Sequence, residues 1–213
     1  MVASLGAILI VCCLIPLNGS AGIRSERPSQ IQFIARNLGS GASLAYNLGD
    51  HILFGANYFA TSAEHEGEDT DNNETVNFEF ATSELFLRYY LMEDSGFYIS
   101  GASVFRHWKI TVTGTDEIGD SGEVAEYKLT AEWPTTAFSY GLGYQWIMDF
   151  GLSLGAYMGM ISGGEPELKG EVDDDSISQS DVDKEVDEIE EEENFGEKYA
   201  NVFIAGFSLG FNF

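Results

Sequence analysis

The chain has 213 residues, a length that fits a single domain. It carries 35 acidic against 10 basic residues, a net charge of −25, and nucleic acid is therefore not expected as a partner because phosphate binding needs a basic face. Both cysteines, Cys12 and Cys13, lie in an N-terminal apolar run, so no disulfide framework is expected in the mature protein.

The N-terminal run covers residues 2–17 and is interrupted by Ser4 and Gly6. Small residues follow it, and they suit cleavage after Ala21 or Gly22, although the usual Lys or Arg near the start is missing. We predict an export signal over 1–21 and one domain over 22–213. The alternative, an uncleaved anchor helix, is short for a membrane span, and no later apolar run approaches the roughly 18 residues of a membrane helix.

Apolar, Gly-rich segments alternate with polar connections along the rest of the chain. The pattern predicts eight strands, with ten as the alternative count, over 30–37, 41–48, 51–63, 77–92, 97–113, 129–147, 150–162 and 199–213. Tight turns at 49–50, 93–96 and 148–149 alternate with long connections at 64–76, 114–127 and 163–198. This alternation predicts an antiparallel up-and-down meander with short turns at one rim and long loops at the other.

The three long connections hold 27 of the 35 acidic residues, whereas the predicted strands are nearly free of them. A water-soluble domain would scatter its charges over the whole surface. Confinement of acids to one rim instead favours a barrel whose walls face lipid, with 163–198 as a long acidic external loop.

Side-chain size supports the same interpretation. In 199–213 the odd positions are mostly large and apolar and the even positions mostly small, and 136–148 shows a similar division. A narrow barrel in lipid needs small residues inside and large apolar residues outside, while a soluble barrel would reverse the faces. Phase slips near Thr82–Glu84 and Val104–Phe105 predict β-bulges in two of the strands.

The end of the chain resembles a known protein class. Phe207, Leu209, Phe211 and Phe213 occupy alternate positions and look like the C-terminal assembly signal of bacterial outer-membrane β-barrel proteins. The mature chain as a whole resembles the small eight-stranded members of that superfamily. The resemblance implies an all-β transmembrane barrel in the bacterial outer membrane, inserted by the barrel-assembly machinery.

Charged residues within strands are expected to avoid lipid, because an exposed Arg or Lys near the midplane costs roughly 2–4 kcal/mol. We therefore expect such residues to point inward or to sit at a rim, and we predict a polar network in the lumen formed by Arg36, Glu84, Arg88, His107 and Lys109. No nucleophile, base and orienting acid occur together in a recognisable pattern, so we predict no catalytic residue and no enzymatic activity.

A weak metal motif lies in the last long connection. Asp181, Asp183, Glu185 and Glu192 occupy positions 1, 3, 5 and 12 of a calcium-loop spacing, but Val186 stands where that loop needs glycine. We predict no tightly bound cofactor and only loosely bound Ca²⁺ or Mg²⁺, which would bridge the carboxylates to lipopolysaccharide phosphates.

Three functions remain open from the sequence. The first is a monomeric structural or surface-interaction barrel whose acidic loops meet divalent cations, lipopolysaccharide or a partner. The second is a small cation-preferring channel of porin-like character, since acidic vestibules concentrate cations. The third, less favoured, is a lipid-modifying enzyme of the outer membrane.

Overall fold

The computed structural model describes residues 23–66, 75–92, 95–118, 123–172, 186 and 200–213. The predicted export signal lies outside them. A short helix, α1, covers Ile23–Glu26. Ten strands follow: β1 (Ser29–Arg36), β2 (Gly39–Leu48), β3 (Ile52–Glu66), β4 (Thr75–Tyr90), β5 (Phe97–Ile118), β6 (Glu123–Glu132), β7 (Thr136–Ile147), β8 (Leu152–Ser162), β9 (Glu167–Val172) and β10 (Asn201–Asn212).

Eight of these strands close into a ring. The antiparallel pairing runs β1–β2–β3–β4–β5–β7–β8–β10 and returns to β1, which leaves no edge in the ring. The remaining two, β6 and β9, pair with each other, and β6 also pairs with the far half of β5. The predicted eight-stranded up-and-down barrel is therefore confirmed, and the two additional strands lie outside the closed ring.

The ladders also fix the stagger of the barrel. Starting from Gln30, successive ladder partners are Ala45, Gly55, Phe86, Ala102, Ser139, Ile161 and Val202. If the β10–β1 ladder continued beyond its last pair, Val202 would lie opposite position 40. One circuit of the barrel that starts at residue 30 therefore ends at residue 40, a shift of ten residues. Such a stagger tilts the strands, and eight tilted strands enclose a space that side chains can fill.

The faces of the strands follow the predicted alternation. On β10 the large residues Phe203, Phe207 and Leu209 are exposed, while Ile204 and Asn212 are completely buried. Gly206 lies on the same inner face, where an added Cβ would overlap the carbonyl oxygen of Ala35 and crowd Arg36. The small inward residues therefore leave room for long lumen side chains, and the apolar exterior is suited to lipid.

Five neighbouring strands rise above the rest of the barrel, and we call this part the tall wall. It consists of β3 from Thr61, β4 up to Phe80, β5 from His107, β6 and β9. The β1–β2 hairpin turns already at 37–38, whereas the β3–β4 ladder continues to Glu66 and Thr75. Parts of 64–76, 114–127 and 163–198 are thus strand, and predicting them wholly as loops was wrong. Of their described side chains, Glu64, Glu126 and Lys169 are exposed to solvent.

The bulges predicted at the two phase slips are absent, since the β4–β5 register runs unbroken from Thr75 opposite Thr113 to Tyr90 opposite Tyr98. The sequence pattern is irregular there because the upper lumen holds large aromatic side chains. A register shift does occur between β8 and β9: the inward positions change from odd, as at Ile161, to even, as at Leu168. Gly164, with φ of +91°, lies at this shift, where glycine adopts the left-handed backbone readily.

Candidate functional site: the filled lumen and the tall wall

The centre of the lumen is a buried ion pair. Arg36 Nη1 and Nη2 donate to the two carboxylate oxygens of Glu84 at 2.7 and 2.9 Å, a bidentate arrangement. Asn57 Nδ2 donates to the same carboxylate at 2.7 Å. The Arg36 and Glu84 side chains are 8% and 2% exposed, so this pair crosses the lumen away from water.

Arg88 lies in the same interior but has different neighbours. Its guanidinium carbon is 4.6 Å from the centre of the Phe86 ring and 4.8 Å from that of Tyr98. No carboxylate of the described residues pairs with it. Arg36, Glu84 and Arg88, three residues of the predicted network, are all buried inside the barrel, and Arg36 and Glu84 form an ion pair.

Aromatic side chains fill the lumen on the loop side. Trp108 and Trp133 pack edge to face at 6.2 Å, and Trp108 Nε1 donates to Thr82 Oγ1 at 2.8 Å. Ile161 and Ile204, both completely buried, complete this cluster. We call it the outer plug, because these buried apolar side chains come from different strands and pack into one cluster inside the barrel.

The short-turn end is also filled. Arg24 of α1 enters the barrel base, donates to the carbonyl oxygens of Asp50 and Ser95 at 3.1 and 2.7 Å, and lies 3.7 Å from the centre of the Tyr90 ring. The Tyr90 hydroxyl donates to Gln145 Oε1. Burial lowers the pKa of the Arg24 guanidinium from its ordinary value, although nearby Asp50 raises it in part. Helix α1 therefore fastens two short turns to the base.

Two residues predicted for the lumen are on the outside, and this part of the prediction was wrong. His107 and Lys109 alternate with the inward residues Arg106 and Trp108, and they face away from the lumen. His107 makes no hydrogen bond or ion pair within the described residues. Lys109 lies 3.5 Å from Glu132 on the next strand. Both residues are polar because they lie where β5 enters the tall wall, and polarity there does not indicate the lumen face.

The outer face of the tall wall carries alternating charges. Lys128 Nζ is 2.7 Å from Glu171, and Lys169 is 3.4 Å from Glu167 and 3.9 Å from Glu132. The Lys128 ammonium donates to the Glu171 carboxylate and thereby lowers the pKa of that carboxyl below its ordinary value. Because these pairs are exposed, each stabilises the wall weakly.

Asp181, Asp183, Glu185 and Glu192, the residues of the weak metal motif, lie outside the described residues. Within the described ranges, no group of three or more His, Cys, Asp or Glu side chains is arranged to hold a metal ion. The four residues of the C-terminal pattern, Phe207, Leu209, Phe211 and Phe213, are 42–65% exposed and face outward.

Sequence reasoning missed several lumen residues. Arg106, 3% exposed, donates to the carbonyl oxygens of Pro134 and Gly163 at 2.8 and 3.0 Å. Arg24 was missed because it precedes the first strand. The even-numbered positions of β5 could have indicated Arg106, because Ala102 and Val104 share its face, but the expected bulge concealed this continuity.

A closed antiparallel barrel with a filled interior and an apolar exterior has the architecture of the transmembrane β-barrels found in bacterial outer membranes. No helix in the described ranges is long and apolar enough to cross a membrane. The predicted fold, an all-β antiparallel up-and-down barrel of eight strands, is confirmed.

Comparison with known proteins gives the same fold. The chain matches the crystal structure of Acinetobacter baumannii CarO with a TM-score of 0.62 and 11% identity, over 87% of this chain and 98% of that chain. It matches the crystal structure of A. baumannii CarO2 with a TM-score of 0.65 and 12% identity, over the same shares of the two chains. No protein-family model and no curated protein sequence matches the chain.

Proposed function

We propose that the protein is a closed, non-enzymatic outer-membrane barrel that acts through its external surface. The observation that carries this proposal is the filling of the lumen at three levels, by Arg24 at the base, by the Arg36–Glu84 pair at the centre and by the outer plug. A barrel filled in this way offers its tall wall and acidic connections, and not its interior, to other molecules.

The external charge identifies a class of ligand. The described lysines of the tall wall already pair with Glu132, Glu167 and Glu171, so they do not neutralise the acids elsewhere. The connection between β9 and β10 contains thirteen acidic residues and only Lys184 and Lys198 as bases between 173 and 199. Carboxylate oxygens are the preferred ligands of Ca²⁺ and Mg²⁺, and such ions would link this connection to lipopolysaccharide phosphates.

Titration calorimetry of the purified protein with Ca²⁺ and Mg²⁺ tests this proposal. We expect weak binding that falls as monovalent salt rises, because screening weakens exposed charge interactions. A variant with Asp181, Asp183, Glu185 and Glu192 replaced by amides is compared with a control in which three aspartates at 173–175 become asparagine. Binding lost only in the first variant would locate a defined site, while no binding to the wild type, and no cation-dependent binding of lipopolysaccharide, would refute the proposal.

The channel alternative has a structural argument against its predicted cation preference. The described lumen and its base hold Arg24, Arg36, Arg88 and Arg106 against two carboxylates, that of Glu84 at the centre and that of Asp50 near Arg24. A positive interior repels cations, whatever the acidic connections attract. In planar bilayers we expect the wild-type protein to give no steps of conductance. Regular steps with cation preference would establish the channel instead.

The enzyme alternative needs a base with a nucleophile and an orienting acid beside it, and the histidine His107 has no hydrogen-bond partner among the described residues to fill either role. We expect mass spectra of lipid A to be identical in cells with the wild-type protein, the His107→Ala variant or no protein. A lipid A species that requires His107 would revive the alternative.

We also propose that the outward row of Phe207, Leu209, Phe211 and Phe213 is recognised by the barrel-assembly machinery and that the folded protein is a monomer. Replacing Phe213 by alanine should lower the folded fraction in the outer membrane, whereas Phe203→Ala, on the same face, serves as control. Light scattering in detergent should give the mass of one chain.

A further inference from the structure

The lumen has an excess of positive charge that its described carboxylates do not balance. Arg24 and Arg106 donate to backbone carbonyl oxygens, and Arg36 is paired with Glu84. Arg88 is 6% exposed and belongs to none of these arrangements. A protein with 35 acidic residues thus keeps a buried guanidinium without a carboxylate among its described neighbours.

The neighbours of Arg88 supply no counter-charge. They are the aromatic rings of Phe86 and Tyr98 and the hydroxyl of Tyr90, which accepts a hydrogen bond from Arg88 and donates one to Gln145. Moving a guanidinium out of water is unfavourable unless a counter-charge or a full set of acceptors replaces the lost hydration. The surrounding lipid strengthens this requirement, since water cannot reach the site from the outside of the barrel.

A small cavity lies where the missing counter-charge would fit. The space open to the centre of a water-sized sphere is about 10 Å³, enough for about one such sphere, and Arg88 and Arg36 both line the cavity. Its other polar side chains are hydroxyl groups, from Tyr98, Tyr157 and Ser208. No carboxylate lines it, so the side chains around the cavity offer two cations and three hydroxyl donors. Convergent donors around a water-sized space match a small monovalent anion.

We propose that this cavity binds one inorganic anion of halide size, held between the guanidinium groups of Arg88 and Arg36. The anion supplies the charge that Glu84 cannot, because both oxygens of that carboxylate already accept from Arg36. Binding to the folded protein alone stabilises it by mass action, so the unfolding midpoint rises with the concentration of the anion. Gluconate and sulfate are too large for a cavity of this size and leave the midpoint unchanged.

The experiment compares thermal unfolding of the full protein in detergent with chloride, bromide or gluconate at equal ionic strength. We expect a higher midpoint in both halides than in gluconate, with a difference that increases with halide concentration. In the Arg88→Gln variant this difference disappears. The Arg106→Gln variant is the matched control: it also loses a buried lumen arginine, but one outside the cavity, and it keeps the halide response.

Crystals grown in bromide give a second readout that does not depend on variants. An anomalous peak between Arg36 and Arg88 supports the proposal, and it decides the question if the Arg88→Gln protein does not fold. Equal midpoints in halide and gluconate, a halide response that Arg88→Gln retains, or water in place of bromide in the cavity would each overturn it.

Discussion

Replacing Glu84 by glutamine tests how much the central ion pair stabilises the barrel. The change leaves Arg36 buried beside a neutral amide and removes the charge from three hydrogen bonds, two with Arg36 and one with Asn57. Breaking a buried pair from one side costs about 3–5 kcal/mol. We expect a loss of about 3 kcal/mol, at the lower end, since the amide oxygen still accepts one hydrogen bond.

The assay is urea unfolding in lipid vesicles followed by tryptophan fluorescence, with the free energy taken from the midpoint and slope. Glu79→Gln is the control, because Glu79 lies on the same strand but is exposed on the outer face, and its loss should stay within about 0.5 kcal/mol. Replacing Arg36 and Glu84 together by methionine should restore most of the stability. A loss below about 1 kcal/mol for Glu84→Gln would refute the reasoning. So would a double variant whose loss equals the sum of the losses of its two single variants.

Three further predictions concern the outer plug, the lipid face and the tall wall. Trp108→Ala should lower the unfolding free energy by about 3–5 kcal/mol in the same assay, whereas its outward neighbour His107→Ala should change it by less than about 0.5. Leu209→Arg should cost about 2–4 kcal/mol if lipid covers it; an unchanged stability would contradict the proposed lipid face. Lys128→Met should raise the pKa of Glu171 toward its ordinary value, measured by NMR titration of the carboxylate. Since the folded pKa is the lower one, the pair's stabilisation is present above the unfolded pKa and lost as pH falls through the folded pKa.

The closed part of the fold could be predicted because lipid and a narrow interior impose opposite requirements on alternate residues. Phe207 and Leu209 could only face outward once Gly206, Ser208 and Gly210 were recognised as the inner row. The same requirement applied on every strand of the ring, so the strand count and topology followed from periodicity and turn spacing.

The tall wall and half of the lumen network could not be predicted, because polar residues change from the inner face to the outer face where the strands leave the membrane. Above that level Lys109 and Glu132 are outward residues that face water, while Trp108 and Trp133 fill the inside. A polar residue near the midplane of the barrel therefore indicates the inner face, whereas a polar residue in the tall wall indicates the outer face. The level at which the change occurs depends on strand stagger, which only the ladders between distant segments reveal.

The break at Pro134 separates the wall from the ring without changing the register between them. Phe105 opposite Thr136 and Lys109 opposite Glu132 belong to one continuous alignment, and hydrogen bonds from Arg106 to Thr135 and from Trp133 to Trp108 lie on either side of the proline. Proline lacks only the donor that this position would otherwise supply. The β5–β6 hairpin can therefore grow or shrink by matched pairs of residues on its two strands while the lipid-facing barrel stays as it is. The length of the external hairpin can therefore change independently of the barrel, in evolution or when a designed segment is grafted onto it.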